Sequence, residues 1–489
     1  MTTNADTAGL SPELRKLTRI LILGAIAALL DTTVVNLAID VLSREFDAPV
    51  STIQWVNTSY LLALGIVIPV SGWSAARFGG KQMWMFALAL FLLGSVLSGL
   101  AWSVVSLIIF RVVQGVGGGL LFPIQQTLLV QAAGGKQLGR VMAAITLPVV
   151  VVPILGPVVG GLILNNLSWR WIFYINVPIC LIAIIAAHRG IPDTPKRGGQ
   201  WLDLLGLSLL SPGLALLLFG LSQADGPGGF GRPVVLGSLV AGVLLLAAFV
   251  AHALRTRHEP AVDVRLFRIR SFAVSGVLRF LSGLTLFSGL LVLPLYYQQV
   301  RGYGVLAAGL LTAPQGLGSL IVRSLGGQLI DRVGARPVVI VSTLVGAVGT
   351  IPFALGGWFS NLVVLGGAQV VRGAGLSLAA IAMAAASFEG LSREQVPHAS
   401  STTRILQQVG SSFGVAVLAL VLQQQITSHS GAGTGGLVAA YQGAFWWIIA
   451  FTVLGALPAF LMPGKSAPRA TAAPEARPES VRGSAAGSA

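Results

Sequence analysis

The sequence predicts an all-α integral membrane protein, and three observations carry that reading. Hydrophobic residues fill 54% of the 489 positions and charged residues 10%, with a mean hydropathy of +0.83; soluble domains carry roughly 25% charged residues. The apolar residues gather in runs of about 20, the length that crosses a hydrocarbon core. Between the runs lie short connections that are alternately rich and poor in Lys and Arg.

Fourteen spans are expected. The first six cover 18–40, 54–75, 82–101, 105–129, 141–163 and 171–188. Two more cover 203–222 and 233–254, and the last six cover 271–295, 305–325, 337–357, 361–384, 400–424 and 440–462. This divides the chain into a cytoplasmic tail (1–17), an N-terminal six-helix half (18–190), two inserted helices (203–254), a C-terminal six-helix half (271–462) and a tail (463–489). The last segment is rich in Ala, Pro, Ser and Gly and is expected to be disordered.

Orientation follows from the cations. With the N-terminus inside, Arg15, Lys16, Arg19, Arg77, Lys81, Lys136, Arg140, Arg189, Lys196, Arg197, Arg255, Arg257, Arg265, Arg268, Arg270, Arg332, Arg336, Arg393 and the tail residues Lys465, Arg469, Arg477 and Arg482 all fall on the cytoplasmic side. Only Arg44, Arg170, Arg232 and Arg301 fall outside. Both termini are therefore expected in the cytoplasm of a bacterial cell, with the chain in its inner membrane. The same placement gives the net charge of +15 a cause in anionic lipid rather than nucleic acid.

Other classes fit poorly. The one cysteine, Cys180, excludes an intrachain disulfide. The first apolar run is long, carries Asp31 and lacks a small-x-small cleavage site, so it reads as a span and not a cleaved leader. The five histidines sit in loops or span ends and do not converge, so neither enzyme chemistry nor a metal site is expected. No phosphate-binding Walker loop is present, which argues against ATP as energy source, and no cofactor is implied. A channel would show repeated polar pore-lining rings, which are missing.

Two stretches repeat. Gly72-Trp-Ser-Ala-Ala-Arg77-Phe-Gly79-Gly-Lys81 reads like Gly327-Gln-Leu-Ile-Asp331-Arg332-Val-Gly334-Ala-Arg336, at an offset of 255. Gln114-Gly115-Val-Gly117 reads like Arg372-Gly373-Ala-Gly375, at an offset of 258. Near-equal offsets point to two related halves, the construction used by secondary transporters, which bind substrate near the midplane between halves.

Charges inside spans are the first candidates for chemistry. Asp31 lies twelve residues past Arg19, about 18 Å into the membrane at 1.5 Å per residue. A carboxylate there costs several kcal/mol if charged and unpaired, which makes it a candidate proton carrier; a buried structural hydrogen bond is the other reading. Arg111 sits about 10 Å from the outer surface by the same rise, a depth close to that of Asp31, which leaves a direct pair between them open. Arg279 and Arg323 are also unusual: each is placed to attract an anion or an internal acid, although Arg323 can snorkel to the surface.

Four motifs together resemble one family. They are Leu30-Asp31-Thr-Thr-Val-Val-Asn36-Leu-Ala, Arg111-Val-Val-Gln114-Gly115-Val-Gly117, Pro153-Ile-Leu-Gly156-Pro157-Val-Val-Gly160-Gly161, and Trp169-Arg-Trp-Ile-Phe-Tyr-Ile-Asn176-Val-Pro178. With Leu293-Pro-Leu-Tyr296-Tyr-Gln298 and Thr403-Arg404, they look like the fourteen-span drug:proton antiporters of the major facilitator superfamily, over nearly the whole chain. The resemblance implies proton coupling through Asp31 and Arg111, and export rather than import through the Pro153–Gly161 motif. Gly156 and Gly160 form a small-xxx-small pair that lets helices approach, and Pro157 removes a backbone donor. Gly115 and Gly117 read as packing residues.

The resemblance also implies a gating role for the repeated loops. Its pattern places Asp where this chain has Ala76, whereas the second copy keeps Asp331, so gating is expected to be weighted differently here. Trp55, Tyr60 and Arg279, with Asn36, Gln114, Tyr296 and Gln298, form the candidate substrate cavity, while Trp55 also suits an interfacial anchor. The expected function is alternating-access, proton-driven export of small, hydrophobic molecules such as antibiotics by a monomer. An importer or facilitator on the same fold is the alternative, and a channel or sensor the alternative outside transport.

Overall fold

The computed structural model describes residues 11–134, 137–194, 196, 201–224, 228–256, 260–356, 361–392, 394–429 and 433–462. The segment from 463, Lys136, Arg197, Arg257 and Arg393 lie outside them, as do the side chains of Asn36, Pro153, Pro157 and Arg323.

Among the described residues the chain is helical and carries no strand. In order the helices are α1 (Pro12–Leu37), α2 (Ile39–Glu45), α3 (Val50–Phe78), α4 (Gly80–Gly99), α5 (Val104–Ala133), α6 (Leu138–Asn166), α7 (Trp171–Tyr174), α8 (Asn176–Gly190) and α9 (Leu204–Ser222). There follow α10 (Pro233–Arg255), α11 (Arg270–Leu295), α12 (Val305–Thr312), α13 (Pro314–Val333), α14 (Ala335–Val348), α15 (Ile351–Leu355), α16 (Leu362–Ala386), α17 (Val396–Ser428) and α18 (Gly433–Ala456). Twelve helical segments among the described residues are long and apolar enough to cross a membrane. The regions expected as spans at 141–163 and 305–325 are helical as well, in α6 and in α12 with α13. The break before Pro314 has a local cause, since a proline nitrogen cannot donate to the helical ladder.

Long helices start where the chain supplies caps. Ser11 accepts from the Leu14 amide at the head of α1, and Ser103 and Ser106 form a reciprocal capping box at the head of α5.

Packing repeats between the two ends of the chain. In the first part α3 and α4 both pack on α5, and α1 packs on α6; in the second α13 and α14 pack on α16, and α11 on α17. The glycines that permit these contacts recur. A Cβ on Gly115 would strike the Tyr60 carbonyl, and one on Gly373 the Gln315 carbonyl. Gly117 lies against Ala87 and Phe91, and Gly375 against Ser342 and Gly346. Gly79 (φ 91) and Gly334 (φ 88) turn the two repeated loops in a backbone region open to glycine alone.

The two sets meet along α6 against α13 and α16, and along α17 against α3 and α5. Helix α9 packs on α3 and α17, with Ser211 Oγ donating to the Ile66 carbonyl at 2.9 Å, and α10 rests on α9 with most of its surface exposed.

Candidate functional site

A closed network of polar side chains occupies the interior of the first helix set. Asp31 on α1 and Arg111 on α5 are both fully buried. Arg111 Nη1 donates to Asp31 Oδ2 at 2.5 Å and to Gln114 Oε1 at 2.7 Å. Gln114 Nε2 donates to Asp31 Oδ1 at 2.8 Å, and Asn176 Nδ2 on α8 donates to the same oxygen at 3.1 Å. Asn176 also donates to Ser95 Oγ at 3.0 Å, and that hydroxyl donates to the Phe173 carbonyl at 2.8 Å. Arg111 Nε donates to the Val56 carbonyl at 3.2 Å, while its guanidinium lies 4.1 Å above the Tyr60 ring. Four helices thus share one buried ion pair.

The electrostatics follow from the burial. Removing one partner of such a pair leaves an uncompensated charge and costs about 3–5 kcal/mol.

The equivalent place in the second set lacks an acid. Arg372 is fully buried, and its Nη1 donates to Gln315 Oε1 at 2.6 Å, while Nε and Nη2 find no hydrogen-bond partner. Gly289, at the 258-residue offset from Asp31, supplies the room: a Cβ there would collide with Arg372 Nη2.

A cavity lies where the sets meet. Phe122, Gln125, Gln126 and Ile145 line it from α5 and α6; Arg279, Leu286, Leu376, Ser377, Ala380, Ala384, Arg404 and Gln407 line it from α11, α16 and α17. Arg279 is 5% exposed, and its Nη2 donates to Gln407 Oε1 at 2.7 Å. Arg404 crosses the seam, its guanidinium 4.4 Å above the Phe122 ring.

At the end carrying the repeated loops, the sets are in contact. The Gly139 amide donates to Asp331 Oδ1 at 3.3 Å, and Arg140 Nε lies 3.6 Å from Asp331 Oδ2. On the other side Ser71 and Ser401 share a hydrogen bond of 2.8 Å, and a Cβ on Gly72 would lie 3.2 Å from the Pro397 carbonyl. The methyl side chain of Ala76 has no polar atom with which to make such a contact. Lys81 Nζ pairs instead with Asp193 at 3.1 Å, within its own set. Arg77, Arg332 and Arg336 flank these loops, partly or largely exposed.

The remaining sequence candidates divide. Gly156 and Gly160 bring α6 against Thr33, Val34 and Leu37 of α1, whereas Gly161 faces open space. Trp55 is 40% exposed and stacks on Phe219 of α9, with 5.9 Å between ring centroids, so it does not line the cavity between the sets. Tyr60 is sealed against Arg111 rather than exposed to a cavity. Tyr296 belongs to an aromatic cluster with Phe353, Tyr441 and Phe445, and Gln298 sits in the widened turn that follows α11; neither lines the cavity. Of the aromatic motif, Trp169 and Phe173 are buried, Tyr174 is partly buried and Trp171 is half exposed. Asn176, Ser95, Gln315 and Gln407 join the polar contacts without standing out in the sequence, where each is one polar side chain within an apolar helix.

Matching helix sets that enclose a buried ion pair and meet at a polar cavity define a multi-pass membrane transporter. The chain belongs to the Major Facilitator Superfamily, whose sequence profile matches residues 21–415. It is 35% identical over 433 residues to a Mycobacterium tuberculosis protein named "Multidrug resistance protein B homolog", covering 85% of this chain and 80% of that protein. It is 31% identical over 438 residues to an Escherichia coli protein named "Putative multidrug resistance protein MdtD", covering 88% and 90%. Among solved structures, the human organic anion transporter MFSD10 superposes with a TM-score of 0.64 at 19% identity, covering 92% of this chain and all of that one; at that identity the likeness is one of fold.

Proposed function

We propose that this protein exports small, drug-like molecules from a bacterial cell in exchange for protons. The observation that carries the reading is the Asp31–Arg111 pair, fully buried inside a transporter fold, in a chain whose relatives are named multidrug resistance proteins. Fourteen spans are proposed: the twelve apolar segments, α6, and α12 with α13. The halves are 18–190 and 271–462, with α9 and α10 inserted at the flank of the seam. Both termini are placed in the cytoplasm, the membrane is the inner one, and the monomer is the working unit.

The mechanism follows from the network. Asp31 accepts a proton from outside and loses its charge, which frees Arg111, Gln114 and Asn176 from a common acceptor. Helix α1 carries Asp31 and packs through Thr33 on Gly156 of α6, and α6 forms the seam with α13 and α16. A shift of α1 therefore reaches the second half through one helix. The contacts of Asp331 and Ser401 at the cytoplasmic end then open, the proton leaves inward and substrate enters the cavity.

Inside-out vesicles test this. Proton release on drug addition is expected for the wild type and lost in Asp31→Asn. Transport that survives the substitution would move coupling away from Asp31. No proton movement with cationic, neutral or anionic drugs would overturn the exchange itself.

A further inference from the structure

We propose that the substrate is an anion, a carboxylate or sulfonate on an apolar scaffold, whose charged head is held by Arg279 and Arg404. This rests on the reading of the protein as an exporter and names the substrate class of its central cavity.

The first observation is charge. Two arginines line the cavity, and no acid does. Asp31 is committed to Arg111, Gln114 and Asn176 in the interior of the first half. The cavity is therefore formally dicationic, in surroundings where an unpaired charge is costly. An anionic guest removes that cost; a cationic guest adds to it.

The second observation is unused donors. Arg279 Nε and Arg404 Nε have no hydrogen-bond partner, and neither has Gln125 Nε2 across the seam. Both arginines share one neutral acceptor, Gln407 Oε1, at 2.7 and 3.5 Å. Guanidinium groups present their donors in a fork that suits carboxylate and sulfonate oxygens. The remaining walls, from Phe122, Ile145, Leu286 and Leu376, suit an apolar body.

The third observation is position. The donors come from both halves, so a bound anion joins α5 to α11 and α17 across the surface that opens and closes. The cavity measures about 50 Å³ in this conformation, room for a few waters, so the proposal requires the halves to part before the substrate enters.

The test is binding by the full chain in nanodiscs, read by intrinsic tryptophan fluorescence and by ligand-induced shift of the melting temperature. The probes are naphthalene-1-carboxylate, naphthalene-1-carboxamide and 1-naphthylmethylammonium, with the same three groups on a biphenyl scaffold. The carboxylate is expected to bind roughly tenfold to a hundredfold more tightly than the amide, the range a charged hydrogen bond supplies. Arg279→Gln and Arg404→Gln should each erase most of that preference. Gln407→Glu should do the same with both arginines in place, which guards against a variant that merely misfolds. Equal or tighter binding of amide or ammonium on both scaffolds overturns the proposal. So does an anion preference that survives removal of each arginine, or the absence of carboxylate binding on either scaffold. Drug-driven proton movement without anion preference would sink the substrate class and leave the exporter. Anion preference without proton movement would do the reverse.

Discussion

The two helix sets share one packing scheme and differ in what they do with charge. In the first, Arg111 is balanced by Asp31 and held by Gln114 and Val56. In the second, Arg372 occupies the equivalent helix with Gln315 alone, and Gly289 stands where the acid would be. The repeated loops divide the opposite way: Asp331 reaches across to Gly139 and Arg140, while Ala76 carries no charge to reach with. A duplicated scaffold has thus kept its helix contacts and separated its tasks. The buried ion pair lies in one set, and the carboxylate that reaches across the seam lies in the other.

Substitutions that erase this asymmetry are the way to break or sharpen the comparison. The largest effect is expected from Asp31→Asn, which should bring drug-driven proton flux in reconstituted vesicles down to that of protein-free vesicles. Next is Arg111→Gln, which strands the Asp31 charge among apolar helices; a loss of about 3–5 kcal/mol is expected, read as a drop in melting temperature or in recovered folded protein. An Arg111→Gln variant as stable as the wild type would mean that Asp31 is neutral in the resting protein.

Gly289→Ala comes third. Its methyl group would displace the Arg372 guanidinium, at about 1–3 kcal/mol for an overpacked interior. Gly161→Ala, which faces open space, should leave stability nearly unchanged and serves as its control. The smallest effect belongs to Asp331→Asn. The pair with Arg140 is partly exposed and contributes about 0.2–1 kcal/mol, so a cysteine probe near the seam should react up to about fivefold faster when the latch is weakened. If Ala76→Asp leaves the reactivity of that probe unchanged, the first-half loop takes no part in the latch.

Much of this was legible in the sequence. Asp31 and Arg111 stood out because charges inside apolar runs are rare, and the glycine repeats stood out because close packing tolerates no side chain. What escaped needed the third dimension. Asn176 and Ser95 are neutral, and a hydroxyl or amide in a helix can satisfy itself on its own backbone, so nothing in the chain announces that Asn176 reaches Asp31 or that Ser95 accepts from Asn176. Trp55 and Tyr60 lie five residues apart on α3, which puts them about 140° apart around the helix; one therefore meets α9 while the other meets Arg111. Tyr296 follows Pro294 into a widened turn and is drawn into aromatic packing rather than toward the cavity. The solitary state of Arg372 is an absence, visible only once its surroundings are assembled.

The excess of buried arginine has a further consequence, for the membrane voltage. Asp31 is the one fully buried acid among the described residues, set against the buried Arg111, Arg279 and Arg372. A body with net positive charge in the membrane interior feels the electric field whenever its halves rock, by about 2.3 kcal/mol for each charge that crosses a full 100 mV. Under the proposed mechanism, the return stroke of the empty carrier should therefore quicken or slow with the potential even when no proton gradient is present.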